Sequence, residues 1–401
     1  MRRSIWMAAL LLLLPGLAAA QPQGETSLLR YPDICGNTVA FVYGADVWLV
    51  DAAGGQARRL TSGEGDELAP KFSPDCKSIA FTGQYTGTRQ VYVIPVGGGS
   101  PRQLTFHNDV GVIPPRGGFD NQVLGWTPDG KQILFNAHRT PYSERNARPY
   151  LIPAAGGTET PLAIREGSAG VFSPDGNRYV FAPIMREFRT WKHYRGGRAP
   201  ELWIYDLKAN TAEQITSNPA NDYMPVWIGD TVYFVSDRDK VGSTTVNNLF
   251  AYDTKTKAVR RVTNHDTFDV YWPSSADRRR LVYEDGGSIY LFDPASGKSG
   301  RIPIRVEGDL PKTLPYFKNV TEDIDAITLS PTGKRALLTA RGDVFSVPAE
   351  KGEIRNLTQS PGVREVAATW SPDGRWVAYL SDRSGEYEVW LRPADGSGAE
   401  R

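Results

Sequence analysis

The sequence predicts an all-β protein built of β-propeller blades, and three observations carry that expectation. A short phrase recurs: Ser73-Pro74-Asp75, Thr127-Pro128-Asp129-Gly130, Ser173-Pro174-Asp175-Gly176 and Ser371-Pro372-Asp373-Gly374. Each copy follows Phe72, Trp126, Phe172 or Trp370, and degenerate copies stand at Trp227-Ile228-Gly229-Asp230, Trp272-Pro273-Ser274-Ser275 and Ser330-Pro331-Thr332-Gly333. The interval of about 40 to 55 residues falls in the range of repeat architectures. Secondly, an apolar run with the alternation of a half-buried strand follows each copy. Thirdly, 40 Gly and 29 Pro beside only 4 Met and 4 His suit many short strands joined by tight turns. The phrase itself is a turn, in which Pro fixes φ, Asp bonds its own backbone and Gly supplies positive φ.

Six blades follow in order. The first uses Val39-Ala40-Phe41, Asp46 to Val50 and Arg59-Leu60-Thr61; the second Ser78 to Phe81, Val91 to Ile94 and Arg102 to Thr105. The third has Ile133-Leu134-Phe135, Tyr150-Leu151-Ile152 and Pro161-Leu162; the fourth Tyr179-Val180-Phe181, Leu202 to Asp206 and Gln214-Ile215-Thr216. The fifth has Val232 to Val235, Leu249 to Asp253 and Arg261-Val262-Thr263; the sixth Leu281-Val282-Tyr283, Ser288 to Phe292 and Ile302-Pro303-Ile304. The rhythm then breaks. We expect a six-bladed propeller over 28–305, a linker over 306–320, and the first two blades of a second, truncated propeller over 321–401. Two blades cannot close a ring, and their edges need cover. That points to the N-terminal part of a longer protein, the alternative being one eight-bladed ring with a long insertion.

Residues 1–20 have the form of a secretory signal peptide: Arg2 and Arg3, an apolar stretch from Ile5 to Leu14, and Ala18-Ala19-Ala20 before Gln21. The mature chain is therefore expected to be exported, periplasmic or secreted, with no membrane span left after cleavage. The 46 Lys and Arg nearly balance the 45 Asp and Glu, and loss of Arg2 and Arg3 moves the net charge to about −1, which gives no electrostatic case for nucleic acid. Cys35 and Cys76 occupy equivalent turns of neighbouring repeats. Whether they bridge stays open, because equivalent points on adjacent blades are often farther apart than the roughly 4.4–6.8 Å between Cα atoms that a disulfide needs. Two cysteines and four histidines make no zinc site, and no cofactor is implied.

Three segments resemble the tricorn-type proteases, a family built from a six-bladed propeller, a seven-bladed propeller, and later PDZ and serine-peptidase domains. Trp191-Lys192-His193-Tyr194-Arg195-Gly196-Gly197-Arg198, leading into Leu202-Trp203-Ile204, is similar to the family's W-K-x-Y-R-G-G segment before a W-I strand. Gly287 to Phe292 is the second segment. Leu329 to Arg335, with Ala340 to Phe345 and Val347 to Gly352, resembles the opening of the family's second propeller. TolB-like propellers share only the turn phrase. The resemblance implies a non-catalytic region that controls peptide access to, or product exit from, a downstream peptidase domain. No catalytic residue carries over, so the chain alone is expected to be inactive. Known members are cytosolic, whereas this chain carries an export signal, so its substrates would be envelope peptides.

The residues offer little chemistry of their own. No G-x-S-x-G elbow, H-E-x-x-H or P-loop occurs. The best candidate for peptide binding is Arg186, Arg189, Trp191, Lys192, Tyr194, Arg195 and Arg198, whose rings and guanidinium groups could hold a carboxylate bidentately; the plainer reading is a loop pinned by its aromatic residues. Arg341-Gly342-Asp343 spells an adhesion tripeptide but sits at a turn between strands. Asp237-Arg238 and Asp382-Arg383 recur after equivalent strands, as exposed turn devices or inter-blade salt bridges of small energetic weight. The expected partners are peptides, an envelope protein held as TolB-like propellers hold theirs, or the chain's own downstream peptidase domains. A homo-oligomer is compatible with each.

Overall fold

Four of the turns that the sequence supplies are closed by the same pair of side-chain groups. In the computed structural model, which describes residues 24–107, 120–139, 147–164, 167, 169–184, 188, 192–310, 314 and 316–401, the Ser173 hydroxyl donates to Asp175 and accepts from the Arg178 amide, while Asp175 accepts from the Asn177 amide at 3.1 Å. Ser73-Asp75, Thr127-Asp129 and Ser371-Asp373 repeat this set. These bonds favour the carboxylate, so Asp175 is held down at about 2, led by the Ser173 hydroxyl. The leader expected at 1–20 lies outside the described residues.

The chain divides into two compact units, Met1–Thr313 and Leu314–Arg401. Among the described residues the first unit holds six four-stranded antiparallel sheets, each with its strands in sequence order. Sheet 1 comprises Arg30–Cys35, Thr38–Tyr43, Asp46–Asp51 and Arg58–Arg59; sheet 2 comprises Glu67–Phe72, Ser78–Gly83, Gln90–Pro95 and Arg102–Gln103. Sheet 3 is Gln122–Trp126, Gln132–Ala137, Arg148–Pro153 and Thr160–Pro161, and sheet 4 is Gly170–Phe172, Arg178–Phe181, Trp203–Asp206 and Thr211–Gln214. Sheet 5 is Asp222–Ile228, Thr231–Ser236, Asn248–Asp253 and Val259–Arg261, and sheet 6 is Tyr271–Ser274, Leu281–Asp285, Ser288–Asp293 and Lys298–Arg301. The outermost strands of sheets 1, 2, 4 and 5 end before the pairs Leu60-Thr61, Leu104-Thr105, Ile215-Thr216 and Val262-Thr263 expected in them. Those threonines instead bind the third strand: Thr61, Thr105, Thr216 and Thr263 each accept from the main-chain amide fourteen residues earlier, at 2.8–2.9 Å.

The apolar core lies between neighbouring sheets. Phe72, Ile79 and Phe81 of sheet 2 pack on Ala40, Val47 and Leu49 of sheet 1, and Val282 and Ile289 of sheet 6 pack on Phe41 and Trp48 of sheet 1. Sheet 6 thereby returns to sheet 1. Ile304–Arg305 completes the return by pairing in parallel with Gly55–Gln56.

Two expectations are corrected by this geometry. The sixth turn phrase is displaced: Tyr271–Ser274 is strand, and the turn is Ser275-Ala276-Asp277-Arg278, where the Asp277 carboxylate accepts from the Arg279 amide at 3.1 Å. The Asp-Arg repeats are also not exposed: Asp237 is buried and makes an inter-blade pair with Arg195, which precedes the third strand of sheet 4, at 2.8 Å, whereas the repeats' own arginines bond within their own sheets. Arg238 reaches buried Asp222 of its own sheet at 2.6 Å and stacks over Phe234 and Phe250; Arg383 meets buried Glu365 and lies over Tyr379 and Trp390. Low dielectric and the rings beneath the guanidinium give such pairs more weight than surface pairs have.

In the second unit, a four-stranded sheet (Ile324–Leu329, Arg335–Ala340, Asp343–Pro348, Arg355–Asn356) precedes a three-stranded one (Glu365–Trp370, Trp376–Ser381, Glu388–Pro393). Leu337, Val344, Leu357, Val377 and Tyr379 form its core. Arg341-Gly342 is the hairpin turn between two of these strands, with φ of 53° and 88°.

Neighbouring turns touch. A Cβ placed on Gly130 would lie 3.6 Å from Pro74, one on Gly176 3.7 Å from Pro128, and one on Gly374 3.6 Å from Pro331. At sheet 2 the glycine is replaced by Cys76, which keeps the positive φ of 61°. Its side chain therefore points at the turn of sheet 1, where Cys35 stands with a Cα–Cα distance of 5.6 Å, and the two form a disulfide. Opening this 41-residue loop is expected to cost about 3–4 kcal/mol. In urea unfolding, C35S/C76S should show that loss, and C35S/C76G should recover about 1 kcal/mol because glycine accepts positive φ without penalty.

Candidate functional site

The innermost strands of the six sheets surround a central cavity of about 90 Å³. Most of these strands carry a β-bulge, with register shifts at Arg30/Asp33, Leu68/Lys71, Tyr223/Val226 and Tyr271/Ser274. Each of these four bulges places one residue at positive φ: Tyr31 at 50°, Ala69 at 49°, Met224 at 51° and Trp272 at 51°. All four line the cavity. A bulge re-aims a side chain that regular pleating would send into the sheet stack, and non-glycine residues hold this conformation only where their surroundings impose it. Tyr31 and Trp272 pack with ring centroids 4.7 Å apart, and burial pushes the Tyr31 hydroxyl up to about 12.

Three sheets meet in a polar strut at this wall. The Lys71 ammonium of sheet 2 donates to the Ser274 hydroxyl of sheet 6 at 2.6 Å, and Ser274 donates to Asp33 of sheet 1 at 2.7 Å. The other Asp33 oxygen accepts from the Phe72 amide at 2.7 Å. Burial raises Asp33 and lowers Lys71, and each charge opposes the shift of the other. Beside this strut lie Ser275 and Arg278 of the sixth turn, both lining the cavity.

The description "Tricorn protease N-terminal beta propeller domain" matches residues 26–298, the span of the six sheets and their cavity. This chain belongs to that family. The tricorn protease homolog 1 of Streptomyces coelicolor is 30% identical over 387 residues, covering 95% of this chain and 34% of the relative. The chain thus spans about a third of the length of the full-length relative that it matches. A putative tricorn-like protease N-terminal subunit of Sulfurisphaera tokodaii is 31% identical over 185 residues, covering 45% of this chain and 88% of that protein. Among solved structures, the crystal structure of the tricorn protease superposes with a TM-score of 0.63 at 20% identity, covering 93% of this chain and 44% of that one. The fold is an all-β propeller architecture.

Within this propeller family member, the segment singled out from sequence is only partly described. Arg186, Arg189 and Trp191 lie outside the described residues. Lys192 pairs with Asp269 at 3.1 Å, and Arg195 binds the Asp237 carboxylate at 2.8 Å and its main-chain oxygen at 3.1 Å. Tyr194 is half-buried and Arg198 is exposed. Asp237 is buried; the bonds from Asn221, Arg195 and His193 outweigh the burial that would raise it, so its carboxyl lies low. Lys192 and Arg195 are thus each already paired with an aspartate, which partly neutralises them as ligand-binding cations.

Among the described residues, His138, His193 and His265 each meet an aspartate. His138 meets Asp120 at 3.4 Å, His193 meets Asp237 at 3.2 Å, and His265 meets Asp285 at 3.1 Å. The further ring-nitrogen partner of His265 is the Tyr283 hydroxyl at 2.9 Å. Direct contact between imidazole and a serine or thiol, which nucleophilic catalysis needs, is absent from these three among the described residues.

Phe72, Trp126 and Trp272 of the cavity wall were visible as the aromatic residues of the turn phrase, whereas Tyr31, Ala69 and Met224 gave no sequence signal because they carry no turn chemistry. Removing Lys71 leaves Asp33 buried without its counter-charge, so K71M is expected to cost about 3–5 kcal/mol in urea unfolding, most of it recovered in D33N/K71M. A K71M loss below about 1 kcal/mol would show that the pair does not strut the wall.

Proposed function

We propose that this chain is the non-catalytic propeller region of an exported tricorn-like serine peptidase, metering peptides on their way to or from catalytic groups carried on a separate domain or subunit. The observation that carries the reading is the cavity itself: it lies among the innermost strands of the family's N-terminal propeller, and its polar side chains include a lysine, an aspartate, two serines, a glutamine, a tyrosine and an arginine. Such a wall binds and orders ligands, and a closed set of sheets limits what passes by size. The existence of a relative named as an N-terminal subunit supports the division of labour.

The second unit fits the same reading as the opening blades of a second propeller. Ile327 and Leu329 are 63% and 69% exposed on its first strand, and Val389 is 68% exposed on its last. Further sheets would cover apolar strips of this kind.

The 401-residue chain is expected to hydrolyse no fluorogenic peptide. Cleavage sensitive to a serine-directed inhibitor would overturn the proposal. An antibody against the first unit should detect a band far heavier than 44 kDa, or a catalytic partner co-purifying with the chain, in the source cells. N-terminal sequencing of the native protein should begin at Gln21; a start at Met1 would contradict export by signal cleavage.

A further inference from the structure

The sixth turn departs from the Ser-Pro-Asp-Gly pattern in two ways, the first shared by Cys76 of sheet 2, and both of its departing residues line the cavity. Where Gly130, Gly176 and Gly374 supply positive φ at 69°, 74° and 72°, sheet 6 places Arg278 at 58°. A long side chain tolerates that conformation at a cost that glycine avoids, so a local rule is broken without local gain. The second departure concerns the serine. Ser73, Ser173 and Ser371 each donate to the aspartate two residues on. Ser275 does not: its hydroxyl is buried and has no hydrogen-bond partner among the described residues. The matching carboxylate, Asp277, instead accepts from the Gly36 amide of sheet 1 at 2.8 Å.

Arg278 is equally unserved. Its Nη1 is buried and without a hydrogen-bond partner among the described residues. Burial pulls the guanidinium down, and the field of Asp175 opposes that; Asp175 is itself engaged by Ser173 and Asn177. Lys71, the other cation on the wall, is matched by Asp33 through Ser274. One turn therefore offers a guanidinium N–H and a hydroxyl, both desolvated and unspent, against walls of Gly125, Ala169, Gly170, Val171 and Pro225. A desolvated donor left unpaired is unfavourable, and more so when it is charged. The chemistry that satisfies both donors is a small planar anion, with two oxygens for the guanidinium fork and one shared with the hydroxyl.

We propose that Arg278 and Ser275 form a carboxylate site in the channel that takes the C-terminal carboxylate of a short peptide. The small cavity suits a terminal residue with a small side chain and excludes a folded chain. This rests on the reading of the channel as a peptide passage, and a free inorganic anion would present related chemistry.

The test compares trialanine as the free acid, trialanine amide and inorganic phosphate, each titrated into the 401-residue chain while the Arg278 side-chain N–H signals are followed by NMR. The free acid is expected to shift those signals and to bind at least about tenfold tighter than the amide. R278Q should erase the difference and S275A reduce it several-fold, with thermal melts confirming that both variants fold. Equal binding of acid and amide, or a preference that survives R278Q, would overturn the site. Phosphate binding tighter than the free acid would overturn the peptide assignment in favour of a free-anion site. Peptide hydrolysis by the same chain would instead defeat the non-catalytic reading while leaving the acid-over-amide preference intact, so the two failures are separable.

Discussion

The integrity of the central cavity depends on the seam where sheet 6 meets sheet 1. None of the six four-stranded sheets borrows a strand from the other end of the sequence among the described residues; the strand link across the seam is the short parallel pair of Ile304–Arg305 with Gly55–Gln56. Further main-chain and side-chain bonds reinforce it. The Ala276 amide donates to Ile34, the Leu29 amide to Gly287, and the Gly55 and Ala57 amides to Pro303 and Arg305. Arg30 pairs with buried Glu284 at 2.8 Å, and Arg280 reaches the Gly36 carbonyl at 2.6 Å. The Asp33–Ser274–Lys71 strut ties in sheet 2, and the Cys35–Cys76 disulfide joins sheets 1 and 2 covalently.

The seam and the candidate site share one turn, which explains the odd chemistry of Ser275 to Arg278. Asp277 leaves its own serine to bond across the seam. That frees the Ser275 hydroxyl, and the glycine position is taken by Arg278. Under the proposed carboxylate site, a bound carboxylate would lie against the turn that holds the ring shut. Burial of the polar strut is tolerable because every charge in it has a partner, the condition under which buried ion pairs persist.

Much of the fold was legible because its devices are local. The Ser-Pro-Asp-Gly bonds span five residues and the Thr-to-amide bonds fourteen, so each copy can be recognised alone. The sixth copy was misplaced because only Ser275 and Asp277 of the phrase survive there. The Asp-Arg repeats were visible, but the rings of Phe234 and Phe250 beneath Arg238 belong to two strands, and their burial is not written beside the pair. The disulfide stayed open because the stacking of each turn glycine on the preceding turn proline is a contact between blades. The cavity was illegible for the same reason. Its wall joins residues some 240 positions apart, as Asp33 and Ser274 are, and its bulges put Tyr31, Met224 and Trp272 where sequence rules favour glycine.

Native-state hydrogen exchange across the seam tests this account most directly. The amides of Leu29, Gly55, Ala57 and Ala276 should exchange as slowly as those of Phe41 and Phe81 in the sheet cores, in one cooperative unit. Seam amides that exchange far faster than the cores would mean that the ring opens between sheets 6 and 1, and that the channel is not a fixed structure.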